Sequence, residues 1–558
     1  MNSLKQSTLN LDKCNIALKA GLWFANLMVE SEQDVALEDT DRIEGRSALV
    51  NNTNAAIALA GAVRSTLGPR GSDKMLVDEN GEIIVTNDGV TVLETAKVEH
   101  PTANLLIATS SAQDRIARDG TTTSVLLTAE LLRNALELSR IGVHPTIIMN
   151  GYRIAMEESL TQLEEIAKSA SEDDLIAATA TTMAGKVDTA LSENMTKLAL
   201  QAARTLENED GGDDLERIRV KRLQMTDGSG SDSEIIHGLM LKKQRLDFTT
   251  ETVSDGGKIA IIDGGLENKE LELEASIEIR STGVLSGFQE RKTARLAEQI
   301  ENLTNFGIDL ICVRDGIADE AVPLLKNAGI TAYRRFERED LERLSILTGA
   351  KMVRNPNRMT DKDVGIYTHF SANKIDDSWH VRIDGKGRAM TALLRGTTPA
   401  VREEVSRAFD DALGVAFRLV REPKILPGGG GTQTHLARHL RSFATTQKGR
   451  EQLAIEGFAD ALEVIPRVLA ENAGLDPIDE ILSLSAAQAE YGSWFGLDAM
   501  SGEKADMNLM GINDPLFVAR QALTGATEAA ITVLRIDDVL WANVEPSTPD
   551  WSNQIDED

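Results

Sequence analysis

The sequence is poor in the cysteine and aromatic residues on which several classes of protein depend. Its 558 residues include two cysteines, Cys14 and Cys312, which lie far apart and form no metal-ligand spacing. This count excludes a disulfide framework and is typical of a reducing compartment, so we expect a cytoplasmic protein. Aromatic residues make up 4% of the chain, which argues against a surface built for stacking nucleic acid bases.

Long apolar runs and basic residues are also scarce. No apolar run reaches the roughly 18 residues that predict a membrane-spanning helix, so we expect no membrane partner. Lys and Arg number 59 against 88 Asp and Glu, a formal net charge of -29, which repels a phosphate backbone and disfavours nucleic acid as a partner. Strong salt screens such a charge, so the acidity favours a salt-loving archaeal host, although an ordinary acidic protein of a mesophile can have the same composition.

The chain is long enough to require several domains, because a single hydrophobic core stops growing at about 250–300 residues. Residues 1–27 carry lysines and few acids, whereas acidic sequence begins at Met28. We therefore expect Met28 to be the true start, preceded by a mis-called or disordered extension. Short alternating strands and helices occupy 239–395, between mostly helical flanks. Gly238 and Gly396, at the edges of this stretch, suit a hinge.

Hydrophobic periodicity gives a coarse secondary structure. Apolar residues at helical spacing predict helices at 49–68, 103–118, 123–140, 152–168, 288–305, 317–328, about 400–490 and 515–534. Short β-like runs predict strands at 74–77, 82–85, 258–262, 271–279, 310–313 and 330–333.

Glycine, threonine and aspartate are concentrated in a few loops, although the phosphate-loop motif GxxxxGK[ST] does not occur. The loops are TLGPRG at 66–71, TNDGVT at 86–91, RDGTTT at 118–123 and the glycines at 428–431. Backbone N–H groups at a helix start can hold phosphate, and a carboxylate can hold the magnesium that accompanies it. Helix capping also explains the loops at 66–71, 86–91 and 118–123, and a flexible linker explains the glycine run, so the residues alone leave both interpretations open.

These loops lie in stretches that resemble the thermosome/TCP-1 family of group II chaperonins. The stretches are TLGPRGSDKMLVDENGEIIVTNDGVTVL, DGTTTSVLLTAELL, HPTIIMNGYRIA, GGGG and REQLAIEGFADALEVIPRVLAENAGLDPIDEI, in the family's order from about residue 39 to residue 538. The resemblance implies the multidomain chaperonin fold: a mostly α-helical equatorial domain, a small intermediate domain and an α/β apical domain with a helical protrusion. The implied bounds are 28–155 with 428–558, 156–238 with 396–427, and 239–395, respectively.

The resemblance also implies a function. It predicts an ATP-dependent molecular chaperone subunit that binds unfolded protein, encloses it in a double-ring cavity and cycles by ATP hydrolysis, with ATP and Mg²⁺ as cofactors. The ring would be homo-oligomeric or shared with paralogous subunits. Residues 279–298 resemble the lid protrusion, where Val284, Leu285 and Phe288 either contact clients or pack within the protrusion.

Individual site residues follow from the same resemblance. Asp119 resembles the magnesium ligand, and Lys186, in TTMAGK, resembles a lysine that senses the γ-phosphate. Asp88 and Asp411 resemble the acids that position and deprotonate the attacking water, the arrangement that in-line hydrolysis requires. The remaining positions resemble nucleotide contacts: Thr66, Leu67, Gly68, Pro69, Gly89, Thr91, Gly120, Thr121, Thr122, Thr123, Gly429, Gly430, Leu497 and Asp514.

Two departures from the family pattern bear on the rate of ATP hydrolysis. Arg118 stands where the family usually has glycine, and Gln433 where it usually has glutamate. A cation beside the phosphates either aids binding or crowds the loop. The alternative function is therefore a structural or regulatory ring subunit with weak ATPase activity beside active paralogues.

Overall fold

The computed structural model describes residues 40–77, 81, 83–96, 98–207, 215–246, 252–267, 282–375 and 377–542. Its helices are α1 (Gly45–Arg64), α2 (Gly89–Thr95), α3 (Pro101–Ala117), α4 (Thr121–Arg140), α5 (Pro145–Ile166), α6 (Glu172–Thr181), α7 (Thr189–Leu206), α8 (Leu215–Arg219), α9 (Thr282–Asn305), α10 (Ala321–Asn327), α11 (Arg338–Thr348), α12 (Pro399–Arg421), α13 (Gly431–Ala444), α14 (Glu451–Leu462), α15 (Val464–Asn472), α16 (Pro477–Tyr491), α17 (Met507–Met510) and α18 (Leu516–Leu534). Short 3₁₀ turns lie at Gly230–Asp232, Pro356–Arg358 and Asp361–Asp363.

The strands are shorter than the helices and more numerous in the middle of the chain. They are β1 (Thr40–Glu44), β2 (Lys74–Val77), β3 (Ile83–Thr86), β4 (Lys168–Ser169), β5 (Val220–Met225), β6 (Glu234–His237), β7 (Leu239–Lys242), β8 (Val253–Ser254), β9 (Gly257–Ile262), β10 (Leu310–Val313), β11 (Thr331–Tyr333), β12 (Met352–Val353), β13 (Gly365–Tyr367), β14 (His369–Ile375), β15 (Ser378–Asp384), β16 (Met390–Arg395), β17 (Lys424–Pro427), β18 (Phe495–Leu497), β19 (Lys504–Asp506), β20 (Asn513–Pro515) and β21 (Asp538–Ala542).

Helices from both ends of the chain form one hydrophobic core, which we call the helical core. It unites the buried faces of α1, α4, α5, α14 and α18. At its centre the rings of Tyr152 and Phe458 meet edge to face, 5.5 Å between centroids, and the Tyr152 hydroxyl donates to the Leu131 carbonyl. Burying a side chain of this size contributes about 1.5–3 kcal/mol, so such contacts hold the N- and C-terminal segments together.

A second cluster, the joint core, lies around the long helix α12. One face of α12 buries Phe409, Leu413 and Phe417 against α7 and α6, while arginines and glutamates alternate on the other face. Thr398 caps the helix by accepting from the backbone N–H of Val401, and Pro399 begins its first turn, where a missing N–H costs no hydrogen bond. The sequence predicted a helical region from about 400 to 490. Helix α12 begins within one residue of that start but ends at Arg421, and strand β17 interrupts the region before α13.

The middle of the chain forms an α/β unit, as its alternating pattern predicts. Strands β9, β10, β11 and β12 form a parallel sheet in the order β11-β10-β9-β12, with β13 antiparallel beside β9. Helices α9 and α10 contribute to the core that contains Ile311, and α11 to the core that contains Cys312. Ile311 and Cys312 contribute to different cores because successive residues of a strand point to opposite faces of the sheet. The strand predicted at 271–279 and the side chains of Val284, Leu285 and Phe288 lie outside the described residues, as do residues 1–27.

A small sheet carries the chain into and out of the α/β unit. Strand β16 pairs parallel with β5 and antiparallel with β6. Gly238, between β6 and β7, has a φ of 137°, and a Cβ there would lie 2.1 Å from the Asp384 carboxylate. Glycine is therefore required at this edge. Its predicted role as a hinge, shared with Gly396, stays a prediction. Across the described ranges, no helix combines the length and apolarity needed to cross a bilayer.

Candidate functional site

A cavity of about 350 Å³ opens where the glycine- and threonine-rich loops meet at the edge of the helical core. Its lining contains every residue that the sequence assigned to nucleotide, magnesium or catalysis, except Thr91 and Asp411. Each of these two touches a lining residue instead. A concave site of this volume suits a small-molecule ligand. The fold therefore brings together residues from loops that lie far apart in the sequence.

The first wall of the cavity is the start of α4. Thr121, Thr122 and Thr123 form its first turn, which begins earlier than the predicted residue 123 because Gly120 takes the N-cap position with a φ of 78°. The N–H groups of a first turn have no acceptor within their helix, so this end can hold an anion. Gln113 fixes the approach to the helix, since its Nε2 donates to the Asp119 carbonyl over 2.8 Å.

Asp88 is held rigidly at the start of α2. Its Oδ2 accepts from the Thr91 backbone N–H at 2.9 Å and from the Thr91 hydroxyl at 2.7 Å. The helix capping that the sequence left open is therefore present, and the same carboxylate also lines the cavity. Thr91 acts on Asp88 rather than on the cavity. Between them, Gly89 faces α4 so closely that a Cβ would lie 2.6 Å from the Thr122 hydroxyl.

Lys186 joins the cavity to α12. Its Nζ lies 2.7 Å from Asp411 Oδ2, across from the loop that carries Asp88. The Lys186 loop is itself fixed by the neighbouring loops: Asn87 donates to the Gly185 carbonyl at 3.1 Å, and a Cβ on Gly185 would lie 3.0 Å from the Gly68 carbonyl. Asp411 thus reaches the site through a lysine, from a helix that belongs to the joint core.

The glycine run forms the opposite wall. Gly430, with a φ of 70°, caps α13, and the Leu497 N–H donates to the Gly429 carbonyl at 2.9 Å. Strand β17 leads into this run and pairs with β20, which places Asp514 opposite Leu426 and close to the glycines. The strand pairing places Asp514 beside the glycine run, and the hydrogen bond to Gly429 places Leu497 there, although both residues are distant from the glycines in sequence.

Gly429 should not tolerate a side chain. It has a φ of 57°, and a Cβ would lie 2.3 Å from the Leu497 carbonyl oxygen. We expect Gly429→Ala to weaken nucleotide binding at least tenfold in a calorimetric titration, because the wall must move. Gly474→Ala is the matched control: its φ is 77°, but nothing lies within 4 Å of the added Cβ. It carries the backbone strain of about 1–2 kcal/mol without the collision, so equal losses in both variants would contradict the prediction.

The charges of the site are unbalanced. Among the described residues that line the cavity, Asp88, Asp119, Asp498 and Asp514 are acidic and Lys186 is basic. Burial raises the pKa of Asp119, with partial compensation by Lys186, and burial together with the nearby Asp119 raises the pKa of Asp514 to about 7. This surplus of carboxylates calls for a cation, and Mg²⁺ held by one or two carboxylates and by phosphates suits it.

The Lys186–Asp411 pair is also shifted. Burial raises the pKa of Asp411 to about 7, against the opposing effect of Lys186. Burial alone would lower the pKa of Lys186, but Asp411 and then Asp119 outweigh it and hold the pKa above its usual value. These shifts keep the lysine charged and give Asp411 a raised pKa, which suits a general base.

Some lining residues were not predicted from the sequence. They are Asn87, Thr181, Thr182, Ala184, Gln433, Ile465, Leu469, Asp498, Ala499, Met500, Ile512, Pro515, Val518, Ala519 and Ala522. Asn87, Thr181 and Thr182 lie within motifs already singled out for Asp88 and Lys186, so position in the motif could have found them. The apolar residues gave no signal, because they resemble ordinary core residues of the helices that carry them.

Arg118 does not lie beside the phosphate wall. Its side chain enters the joint core, where Nη2 lies 3.1 Å from Glu216 Oε1, and Arg118 is absent from the described lining of the cavity. The reason is local: Arg118 ends α3 in the left-handed conformation, φ 61°, which turns its side chain away from Asp119. The expected cation beside the phosphates is thus wrong, and Arg118 gives no ground for the weak ATPase alternative. Gln433, the other departure, does line the cavity.

Comparison with known proteins agrees with this arrangement. Residues 59–543 match the model of the TCP-1/cpn60 chaperonin family. A thermosome subunit of Desulfurococcus is 40% identical over 514 residues, 91% of this chain and 94% of that protein. The Pyrococcus horikoshii thermosome subunit is 39% identical over 514 residues, 91% and 93% of the two chains, and thermosome subunit 1 of Haloferax volcanii is 38% identical over 510 residues, 90% of each. The chain therefore belongs to the TCP-1/cpn60 chaperonin family, as a subunit of the group II, thermosome type.

Proposed function

We propose that this chain is an ATP-hydrolysing chaperone subunit that binds unfolded protein and encloses it in a double ring. One observation carries the proposal: a single cavity gathers two glycine-capped helix starts, a surplus of aspartates, and a lysine. This lysine pairs with an aspartate whose pKa burial raises to about 7. The helix starts suit phosphates, the carboxylates suit magnesium, and the paired aspartate suits activation of water. The relatives are named as thermosome subunits, one of them as subunit 1, which supports assembly with further subunits.

The side chains divide the chemistry among themselves. The turn formed by Thr121, Thr122 and Thr123 would bind the phosphates, and Asp119 would hold Mg²⁺, which would neutralise phosphate charge. Asp88, immobilised by Thr91, accepts a hydrogen bond from the attacking water. Asp411 takes the proton from that water, and Lys186 stabilises the carboxylate and reaches the terminal phosphate. The walls around Leu497 and Asp514 enclose the nucleoside.

The cores suggest how the domains divide the work. We assign the helical core to the equatorial domain (28–155 and 428–558), the joint core to the intermediate domain (156–238 and 396–427), and the α/β unit to the apical domain (239–395), with α9 continuing into the lid protrusion. Apical surfaces would hold clients. Because Asp411 belongs to the intermediate part and Asp119 to the equatorial part, hydrolysis depends on how these two parts meet. We place the protein in the cytoplasm, with neither nucleic acid nor membrane as a partner.

Magnesium-dependent hydrolysis by the purified protein tests this function. In strong salt, which screens the charge of -29, we expect ATP hydrolysis that stops when magnesium is chelated, and double rings by negative-stain microscopy, with or without paralogues. The base must be ionised, and burial raises the pKa of Asp411 to about 7. The value of kcat/KM should therefore fall about tenfold per pH unit below pH 7.

Asp514 titrates in the same range, since its pKa is also raised to about 7. The Asp514→Asn variant separates the two carboxylates: if Asp411 is the base, the loss of kcat/KM below pH 7 persists in this variant. Absence of any magnesium-dependent hydrolysis, by the chain alone and with paralogues, would refute the proposed function.

A further inference from the structure

Arg118 occupies an unusual backbone position and a buried one. It is a non-glycine residue with a φ of 61°, and its side chain is 3% exposed. Left-handed backbone at a residue with a side chain costs about 1–2 kcal/mol. The surrounding structure must compensate for this cost, and the contacts of the Arg118 side chain lie in the joint core.

The first contact is a buried ion pair shared with a second arginine. Glu216, on α8, is 1% exposed; its Oε1 lies 3.1 Å from Arg118 Nη2 and 3.4 Å from Arg418 Nη1. Arg418 in turn donates to the Gly414 carbonyl at 3.1 Å and to the Arg115 carbonyl at 3.3 Å. Removing one partner of a buried pair leaves the other charge uncompensated, so the loss of any one of these side chains should destabilise the fold. The network ties α3, α8 and α12 together.

The second contact is steric. Gly414 lies in the interior of α12, where glycine is less stable than alanine by about 1 kcal/mol. A Cβ at this position would lie 2.2 Å from Arg118 Cγ and 2.7 Å from Arg118 Cβ. The aliphatic stem of Arg118 therefore fills the notch that Gly414 leaves in the helix. Asp411 precedes Gly414 by one helical turn, so the notch and the carboxylate lie on the same face of α12.

We propose that Arg118 is a positioning residue, which locks the phosphate-binding turn of α4 onto the helix that carries Asp411. Arg118 directly precedes Asp119 in the chain, and its side chain grips α12 through Gly414 and through the Glu216–Arg418 pair. These contacts, which we call the grip, fix the separation between Asp119, assigned to magnesium, and Asp411, assigned to the attacking water. An error of about 1 Å in such a separation can cost 10²-fold in rate. The inference rests on the proposed function for its catalytic consequence, but not for the grip itself.

Kinetics of three variants test the positioning role. Arg118→Gly should lower kcat at least tenfold and leave nucleotide affinity and KM within about threefold, because the phosphate wall itself is intact. Arg118→Lys, which keeps a charge for Glu216 and a stem for the notch, should restore part of kcat; Gly414→Ala should reproduce the loss by pushing Arg118 out. Arg395→Met is the matched control: Arg395 is also an ion-paired arginine, at 2.6 Å from Asp227 and 3.0 Å from Glu234, but it lies on β16 outside the cavity lining.

Hydrogen exchange tests the grip without hydrolysis. In the nucleotide-free protein, amides of 215–219 and 411–421 should exchange faster in Arg118→Gly than in the wild-type protein, and no faster in Arg395→Met. If the wild-type protein proves unable to hydrolyse ATP, the proposed function fails, and exchange alone decides on the grip. If Arg118→Gly unfolds, Arg118→Lys and Gly414→Ala give the same comparison. Unchanged kcat or unchanged hydrogen exchange in Arg118→Gly overturns the inference. A rise in kcat also overturns it, because Arg118 would then slow hydrolysis.

Discussion

Replacing Asp411 with Asn is expected to slow ATP hydrolysis by about 10²–10⁴-fold, the usual contribution of a general base. The amide is nearly the same size as the carboxylate, but it cannot accept the proton of the attacking water. Nucleotide affinity should stay within about threefold, since Asp411 is not among the described lining residues and reaches the site through Lys186. Single-turnover hydrolysis and a calorimetric titration of the same samples measure the two quantities separately.

Asp410 supplies the matched control for this experiment. It is the preceding residue on the same helix, and its carboxylate pairs with Arg222 instead of Lys186. Asp410→Asn removes one negative charge from the same turn of α12, so it reproduces any general effect on the helix. We expect hydrolysis by this variant near the wild-type rate. Equal losses in the two variants would show that α12 responds to charge alone and that Asp411 is not the base.

The two aspartates also show what a sequence can and cannot predict. The apolar spacing around Phe409, Leu413 and Phe417 predicted α12 and its buried face, because this signal is local. It could not say which of Asp410 and Asp411 faces the site, since both lie at the border of that face. The choice depends on the positions of Lys186 and Arg222, which the chain brings in from distant segments.

Arg118 shows the same limit more sharply. Its place next to Asp119 suggested a cation beside the phosphates, which is wrong, because Arg118 has left-handed backbone and its side chain lies in the joint core, paired with Glu216. The glycine that receives it, Gly414, lies far along the chain, in a helix whose pattern gives no sign of a notch. The motif loops are a different case: residues 66–69 and 119–123 line the cavity together, as their motifs suggested, and their role in nucleotide binding stays a prediction.

Replacing Asp119 with Asn is expected to remove the effect of magnesium on nucleotide binding. Burial raises the pKa of Asp119, and an N–H from Gly120 together with the nearby Lys186 favours its charged form. The amide keeps the shape of the loop but loses the charge that a hard cation prefers. We expect hydrolysis to fall at least about 10²-fold, the typical cost of losing one electrostatic group at a reacting centre.

The decisive measurement for Asp119 is binding rather than rate. A non-hydrolysable nucleotide is titrated with and without magnesium: the wild-type protein should bind more tightly with magnesium, and Asp119→Asn should bind equally in both conditions. Asp498→Asn is the matched control, because Asp498 also lines the cavity but its carboxylate is occupied by the Ser501 hydroxyl at 2.6 Å and the Met500 N–H at 2.9 Å. This control should keep the magnesium response. If Asp119→Asn keeps it as well, another of the lining aspartates holds the cation, and Asp88 becomes the first candidate, since it projects from the neighbouring loop.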